Sequence, residues 1–143
     1  MQNAREYLEK LKRMNERINE MLEEKEHLKC LATDISPSPM DGMPIDFGGG
    51  VSQKMQNAVI ALIDLENALN KAIDEYIDYK KDVLEKLSEL PQLERTVLEL
   101  YYVKGMTWVQ IADYLDYSTM HLWRIRQNAN YILFKVLECY AQK

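Results

Sequence analysis

Glycine and proline are scarce in this 143-residue chain, with five and four copies. Seven of those nine residues, Pro37, Pro39, Gly42, Pro44, Gly48, Gly49 and Gly50, crowd into one stretch. Little breaks a helix elsewhere, so long helices are expected on either side of it. Histidine is limited to His27 and His121, and cysteine to Cys30 and Cys139. Scattered in this way, with no Cys-x-x-Cys pair, they supply no zinc motif. The cysteines read as reduced residues on helix faces of an intracellular protein. No run of 18 apolar residues is present, which argues against a transmembrane helix. Gln2, Asn3, Arg5 and Glu6 leave no room for an apolar signal core at the start. A cytoplasmic protein without metal or cofactor is expected. Serine and aspartate show no nucleophile–base spacing, and neighbouring acids such as Asp74 and Glu75 fit a solvated helix face, so no enzyme is expected.

Charge is uneven. The net charge is −5. Residues 1–32 hold seven bases and seven acids, 33–52 no base and three acids, and 53–90 five bases and eight acids. Residues 91–143 hold six bases and five acids, a net of +1. The acidity therefore lies in the first two thirds. A near-neutral C-terminal part is weak for a lone nucleic-acid binder, because such affinity rests largely on phosphate neutralisation. Dimerisation or a second protein would help.

Hydrophobic spacing gives the organisation. Residues 2–32 read as one helix, with Tyr7, Leu11, Met14, Ile18, Met21, Leu28 and Ala32 in four-three spacing interrupted by Lys25. Leu8, Leu22 and Leu31 widen this stripe. Residues 33–51 read as a flexible connector. Its three successive glycines resemble a phosphate loop only superficially, since no Gly-Lys-Ser/Thr follows and no strand precedes. Ser52 suits the N-cap of a second helix. Met55, Ala58, Leu62, Leu65, Leu69, Ala72, Tyr76, Tyr79 and Val83 then keep strict three-four alternation. This helix should end near Leu90, ahead of Pro91. Two long helices joined by a long loop are expected to pack as an antiparallel hairpin or coiled coil over residues 1–90. Their wide apolar faces suggest a homo-oligomer.

Residues 91–143 have another pattern. Pro91 suits the first turn of a third helix, and Leu93, Val97, Leu98, Leu100, Tyr101 and Val103 give it an apolar face. Gly105 should stop it. Thr107 caps a short helix over 108–115, Asp116 and Tyr117 form a turn, and Ser118 caps a last helix starting at Thr119. Ala112 is small where two helices would cross, and Asp116 occupies a turn position that favours left-handed geometry. Ile111 and Leu115 face inward on the short helix; Leu122, Ile125 and Ala129 do so on the last. That is a helix-turn-helix. Thr119, Met120, His121, Trp123, Arg124, Gln127 and Asn128 are left facing outward, where side chains can meet phosphates or base edges. Trp123 suits stacking on a base or sugar as well as burial at a dimer interface, and His121 suits a phosphate contact as well as plain solvation. Arg126, beside Ile125, lies nearer the packed face.

At these residues the chain resembles region four of bacterial sigma factors. The run at 90–102, LPQLERTVLELYY, is similar to its first helix. The run at 105–115, GMTWVQIADYL, is similar to its scaffold helix, and Ser118 with Leu122 and Ile125 matches its recognition helix. The resemblance covers roughly residues 90–134. It departs after the capping serine, where Thr119, Met120, His121 and Trp123 stand in place of charged groups. Arg124 and Arg126 stand where Gln and Glu are common. A sigma factor's promoter sequence is therefore not implied. Nothing in the chain resembles sigma region two, so the resemblance implies something other than a complete sigma factor. A coiled N-terminal half joined to a sigma-like C-terminus is similar to small phage regulators, the late-gene activators of the autolysin-regulatory (ArpU-type) class.

The expectation is an all-α, sequence-specific transcriptional regulator, encoded by a phage or mobile element. Its N-terminal hairpin would oligomerise, and its helix-turn-helix would bind double-stranded DNA through Thr107, Ser118, Thr119, Met120, His121, Trp123, Arg124, Gln127 and Asn128. RNA polymerase is a second expected partner; a membrane is not. Two alternatives remain open: a phage DNA-packaging recognition subunit of the small-terminase kind, and an RNA-polymerase-binding adaptor that binds no DNA.

Overall fold

The two long periodic stretches become two long helices. In a computed structural model, residues 3–33 and 53–142 are described and form five helices: α1 (Ala4–Thr33), α2 (Gln53–Leu87), α3 (Gln92–Tyr102), α4 (Trp108–Leu115) and α5 (Thr119–Ala141). The described residues contain no strand, so the fold is all-α as expected. The expected loop at 33–51 lies outside the described residues except for Thr33, which closes α1, and the expected cap Ser52 lies outside them too. None of the described helices is long and apolar enough to cross a membrane. Cys30 and Cys139 are free and exposed.

Every four-three position of α1 and every three-four position of α2 is buried or half-buried. The described residues divide into two compact units, Met1–Asn15 with Tyr76–Lys143, and Glu16–Glu75. In the latter, Ile18, Ala58 and Leu69 are buried. Lys25, the polar break in the α1 stripe, pairs with Glu66 at 3.8 Å. Both side chains are partly in water, so this pair contributes little to stability. Leu22, Val59, Ile60 and Ile63 are exposed.

The other unit carries the larger core. Asn3 accepts a hydrogen bond from the Arg5 N–H and starts α1. Ala4, Tyr7, Leu8 and Leu11 of α1 join Val83 and Leu87 of α2, Leu98 and Tyr102 of α3, and Ala129, Leu133 and Leu137 of α5 in one apolar cluster. Leu8, Leu11, Val83, Leu87, Leu98 and Leu133 are fully buried, each worth roughly 1.5–3 kcal/mol against exposure. At the edge of this core the Tyr7 hydroxyl and the Lys86 ammonium both donate to Asp82, and the Tyr79 hydroxyl donates to the Tyr7 carbonyl at 2.7 Å. Burial opposes the charged form of Asp82, but the hydrogen bonds from Lys86 and Tyr7 outweigh it and hold the carboxyl below its ordinary value. Burial also pushes the Tyr79 hydroxyl up to about 12. Within this unit Tyr7 meets Asp82 while Lys10 lies over the Tyr79 ring, so the start of α1 and the end of α2 run antiparallel, the order expected of a hairpin.

The α2 helix stops at Leu87, three residues before the expected Leu90, because its last N–H groups turn to nearer carbonyls: Glu89 to Lys86 and Leu90 to Leu87. Pro91 is the N-cap residue of α3 rather than its first helical residue; its extended backbone, φ −56° and ψ 153°, lets its carbonyl accept from Arg95.

Candidate nucleic-acid interface

Four local devices set the ends of the last three helices. Gly105 has φ +76°, a conformation that costs a side-chain-bearing residue about 1–2 kcal/mol. It ends α3 and turns the chain so that the Met106 N–H reaches back to the Leu100 carbonyl. Thr107 then caps α4 in a reciprocal box: its hydroxyl accepts from the Gln110 N–H, and the Gln110 side chain accepts from the Thr107 N–H. Asp116 ends α4 in the left-handed region at φ 61° and ψ 43°. The Tyr117 N–H bonds the Ala112 carbonyl, and the Asp116 N–H bonds that of Asp113, a Schellman close with Asp in glycine's place. Ser118 caps α5 by accepting from the His121 N–H.

Packing then fixes the pair. Val97, Leu100, Ile111, Ala112, Leu122 and Ile125 form a second buried cluster, with Trp108 and Leu115 against it. Trp108 stacks on Tyr101, and the Arg126 guanidinium lies 4.3 Å from the Trp108 ring centre. Arg126 is therefore half-buried and committed to packing, while Arg124 is exposed.

The outward residues expected from the sequence are where the helix period puts them. Thr119, Met120, His121, Trp123, Arg124, Gln127 and Asn128 are all exposed on α5, with Met120 59% and Trp123 52% exposed. Thr107 and Ser118 are exposed too, but their oxygens accept the capping bonds and only their hydroxyl hydrogens are left to donate. His121 meets the Tyr117 ring edge-on, and the Asn128 amide donates to Glu94 of α3 at 3.1 Å, which fixes its side chain over the packed pair. Val109, at 69% exposure, was missed: it sits outside the Ile111 and Leu115 stripe, and the sequence shows no reason to set it beside Trp123. The two share a shallow groove with Trp108, Thr119, Leu122 and Arg126, and a second groove joins Thr119, Met120 and Trp123. Along α5 the charged residues before Glu138 are Arg124, Arg126 and Lys135, so this stretch of the helix itself supplies cations and no carboxylate, and the acid beside it is Glu94 of α3 at Asn128.

A short capped helix, a left-handed turn and a second capped helix that shares a buried cluster with the first, Ala112 included, define a helix-turn-helix. Residues 87–133 match the family described as Sigma-70, region 4, and this segment is a sigma-region-four-like helix-turn-helix. The chain is also similar to the RNA polymerase sigma factor SigF of two Mycobacterium tuberculosis strains, CDC 1551 / Oshkosh and ATCC 25618 / H37Rv. It is 31% identical to each over 91 residues, or 64% of this chain and 33% of that protein. The chain thus spans about a third of the length of the curated relatives it matches. No solved structure matches.

Proposed function

We propose that the chain is a sequence-specific DNA-binding regulator of transcription, of the phage or mobile-element kind, that seats α5 in the major groove of duplex DNA. The observation that carries this reading is the coincidence of two things in one segment. Residues 87–133 match sigma-70 region four, and the same segment turns an exposed, carboxylate-free helix face outward from a capped α4–α5 pair. In helix-turn-helix proteins the second helix enters the groove and its first turns meet the base edges. Thr119, Met120, His121, Trp123, Arg124 and Gln127 occupy that part of α5.

Similarity to proteins named RNA polymerase sigma factors supports RNA polymerase as a second partner. Exposed Leu22, Val59, Ile60 and Ile63 support self-association through the N-terminal helices. Two copies would double the phosphate contacts of a segment whose own net charge is only +1. A DNA-bound regulator of this kind belongs in the cytoplasm.

Selection of duplex DNA from a random pool by the full chain tests the reading. An enriched motif whose binding weakens steeply with salt is expected. Failure to enrich any motif, together with no binding to any duplex at low salt, overturns it.

A further inference from the structure

The first turns of α5 are unusual for a surface meant to meet a polyanion, because two large apolar side chains, Met120 and Trp123, are more than half exposed there. Met120 and Trp123 lie three positions apart on one helix face, and Thr119 lies four before Trp123. All three line one shallow groove, and Thr119 and Trp123 share the next groove with Val109 of α4. The result is an apolar strip, from Val109 to Met120, with Arg126 lining the groove at its Val109 end and no carboxylate of α5 in either groove. The major groove offers one apolar feature at base level, the 5-methyl group of thymine, and side chains read it by direct contact.

We propose that this strip reads thymine: Met120, Trp123 and the methyl of Thr119 contact thymine 5-methyl groups, while Arg124 and Gln127 supply the polar contacts beside them. The inference rests on the DNA-binding reading above and deepens it by naming the base at the centre of the site. Cationic neighbours favour DNA over an apolar protein partner. A strip that served only to bind protein would be indifferent to a methyl on the DNA.

The test uses the full chain and the duplex enriched from the random pool. Each thymidine of the site is replaced in turn by deoxyuridine, which removes the methyl and leaves the hydrogen-bonding edge unchanged. At one or two positions the wild type is expected to lose about fourfold in affinity, the value of one buried methyl. Trp123→Ala or Met120→Ala should bind the unmodified site more weakly and lose nothing further on the same replacement, so the two changes are not additive. Helicity of both variants is checked by circular dichroism; because both side chains are exposed, it should match the wild type. Specific binding that ignores every deoxyuridine replacement overturns the thymine assignment and leaves the DNA-binding reading standing. Equal losses in wild type and both variants also overturn it, since the methyl would then be read elsewhere. Absence of DNA binding altogether overturns both.

Discussion

The Trp108 indole lies flat on the Tyr101 ring, with centroids 3.9 Å apart and planes 11° from parallel. Each ring also carries a cation: Lys12 lies 4.3 Å from the centre of Tyr101, and Arg126 lies 4.3 Å from that of Trp108. Residues of α1, α3, α4 and α5 are thus tied through two aromatic rings. The two arginines of the outward helix consequently have different work.

Arg126→Ala should lower stability by about 0.5–2 kcal/mol through the lost ring contact. Arg124→Ala should leave stability within about 0.5 kcal/mol. In DNA titrations at two salt concentrations Arg124→Ala should behave in one of two ways. Either it relaxes specificity at one position at a cost of about 1–3 kcal/mol, or it weakens all sequences and reduces the salt slope by about one. Urea unfolding supplies the stability values. Equal stability loss for both variants would show that the ring contact carries no weight.

Asp116 holds a left-handed backbone that glycine adopts freely. Asp116→Gly should be neutral or raise stability by up to about 1 kcal/mol, since relief of the left-handed strain outweighs the added freedom of the unfolded chain. The thermal midpoint of the variant measures it. A clear drop would mean that the aspartate side chain holds the turn in some other way.

Tyr102 is buried, and burial, aided by Glu9, pushes its hydroxyl from 10.0 up to about 12. A raised folded-state value means that the associated stability is intact below pH 10 and is lost as pH climbs toward 12. The expected slope is about 1.4 kcal/mol per pH unit in that window. Helicity followed against pH should show alkaline unfolding, and Tyr102→Phe should shift its midpoint upward. An unshifted midpoint would assign the alkaline loss to other groups.

Ile60 and Ile63 are 59% and 54% exposed. If this face joins copies of the chain, Ile60→Lys with Ile63→Lys should reduce the mass seen in analytical ultracentrifugation while helicity is retained. An oligomer of unchanged mass would remove this face from the interface.

A fragment holding only residues 91–143 should be poorly helical and prone to aggregate. It lacks Leu8, Leu11, Val83 and Leu87, and so uncovers Leu98, Tyr102, Leu133 and Leu137. Circular dichroism and light scattering of the fragment check this; a cooperative, monomeric fragment would show that the last three helices fold alone.

Much of the helix-turn-helix was legible because short-range chemistry writes it. Thr107 and Ser118 cap α4 and α5, Gly105 and Asp116 take the left-handed turns, and Leu122, Ile125 and Ala129 face inward, all as their types and spacing imply. The hairpin seams were legible for the same reason, since a three-four period marks a buried face. A period does not name the partner of that face, however. Nothing local joins Ala4, Leu8 and Leu11 to Leu98, Leu133 and Leu137, nor Asn128 to Glu94, nor Val109 to Trp123. Those neighbours are settled by how whole helices cross, which depends on shape and volume that a one-dimensional pattern does not carry.

Leu8 and Leu133 share one core although they stand near opposite ends of the sequence. During synthesis the first turns of α1 leave the ribosome long before α5 exists. At roughly 5–20 residues per second, their apolar side chains wait roughly 6–25 s for their partners. Closing so long a chain costs only logarithmically in entropy, so the final fold tolerates the separation well. The interval itself is the exposed moment: until α5 is made, the apolar face of the first turns of α1 lacks the side chains that cover it in the finished core.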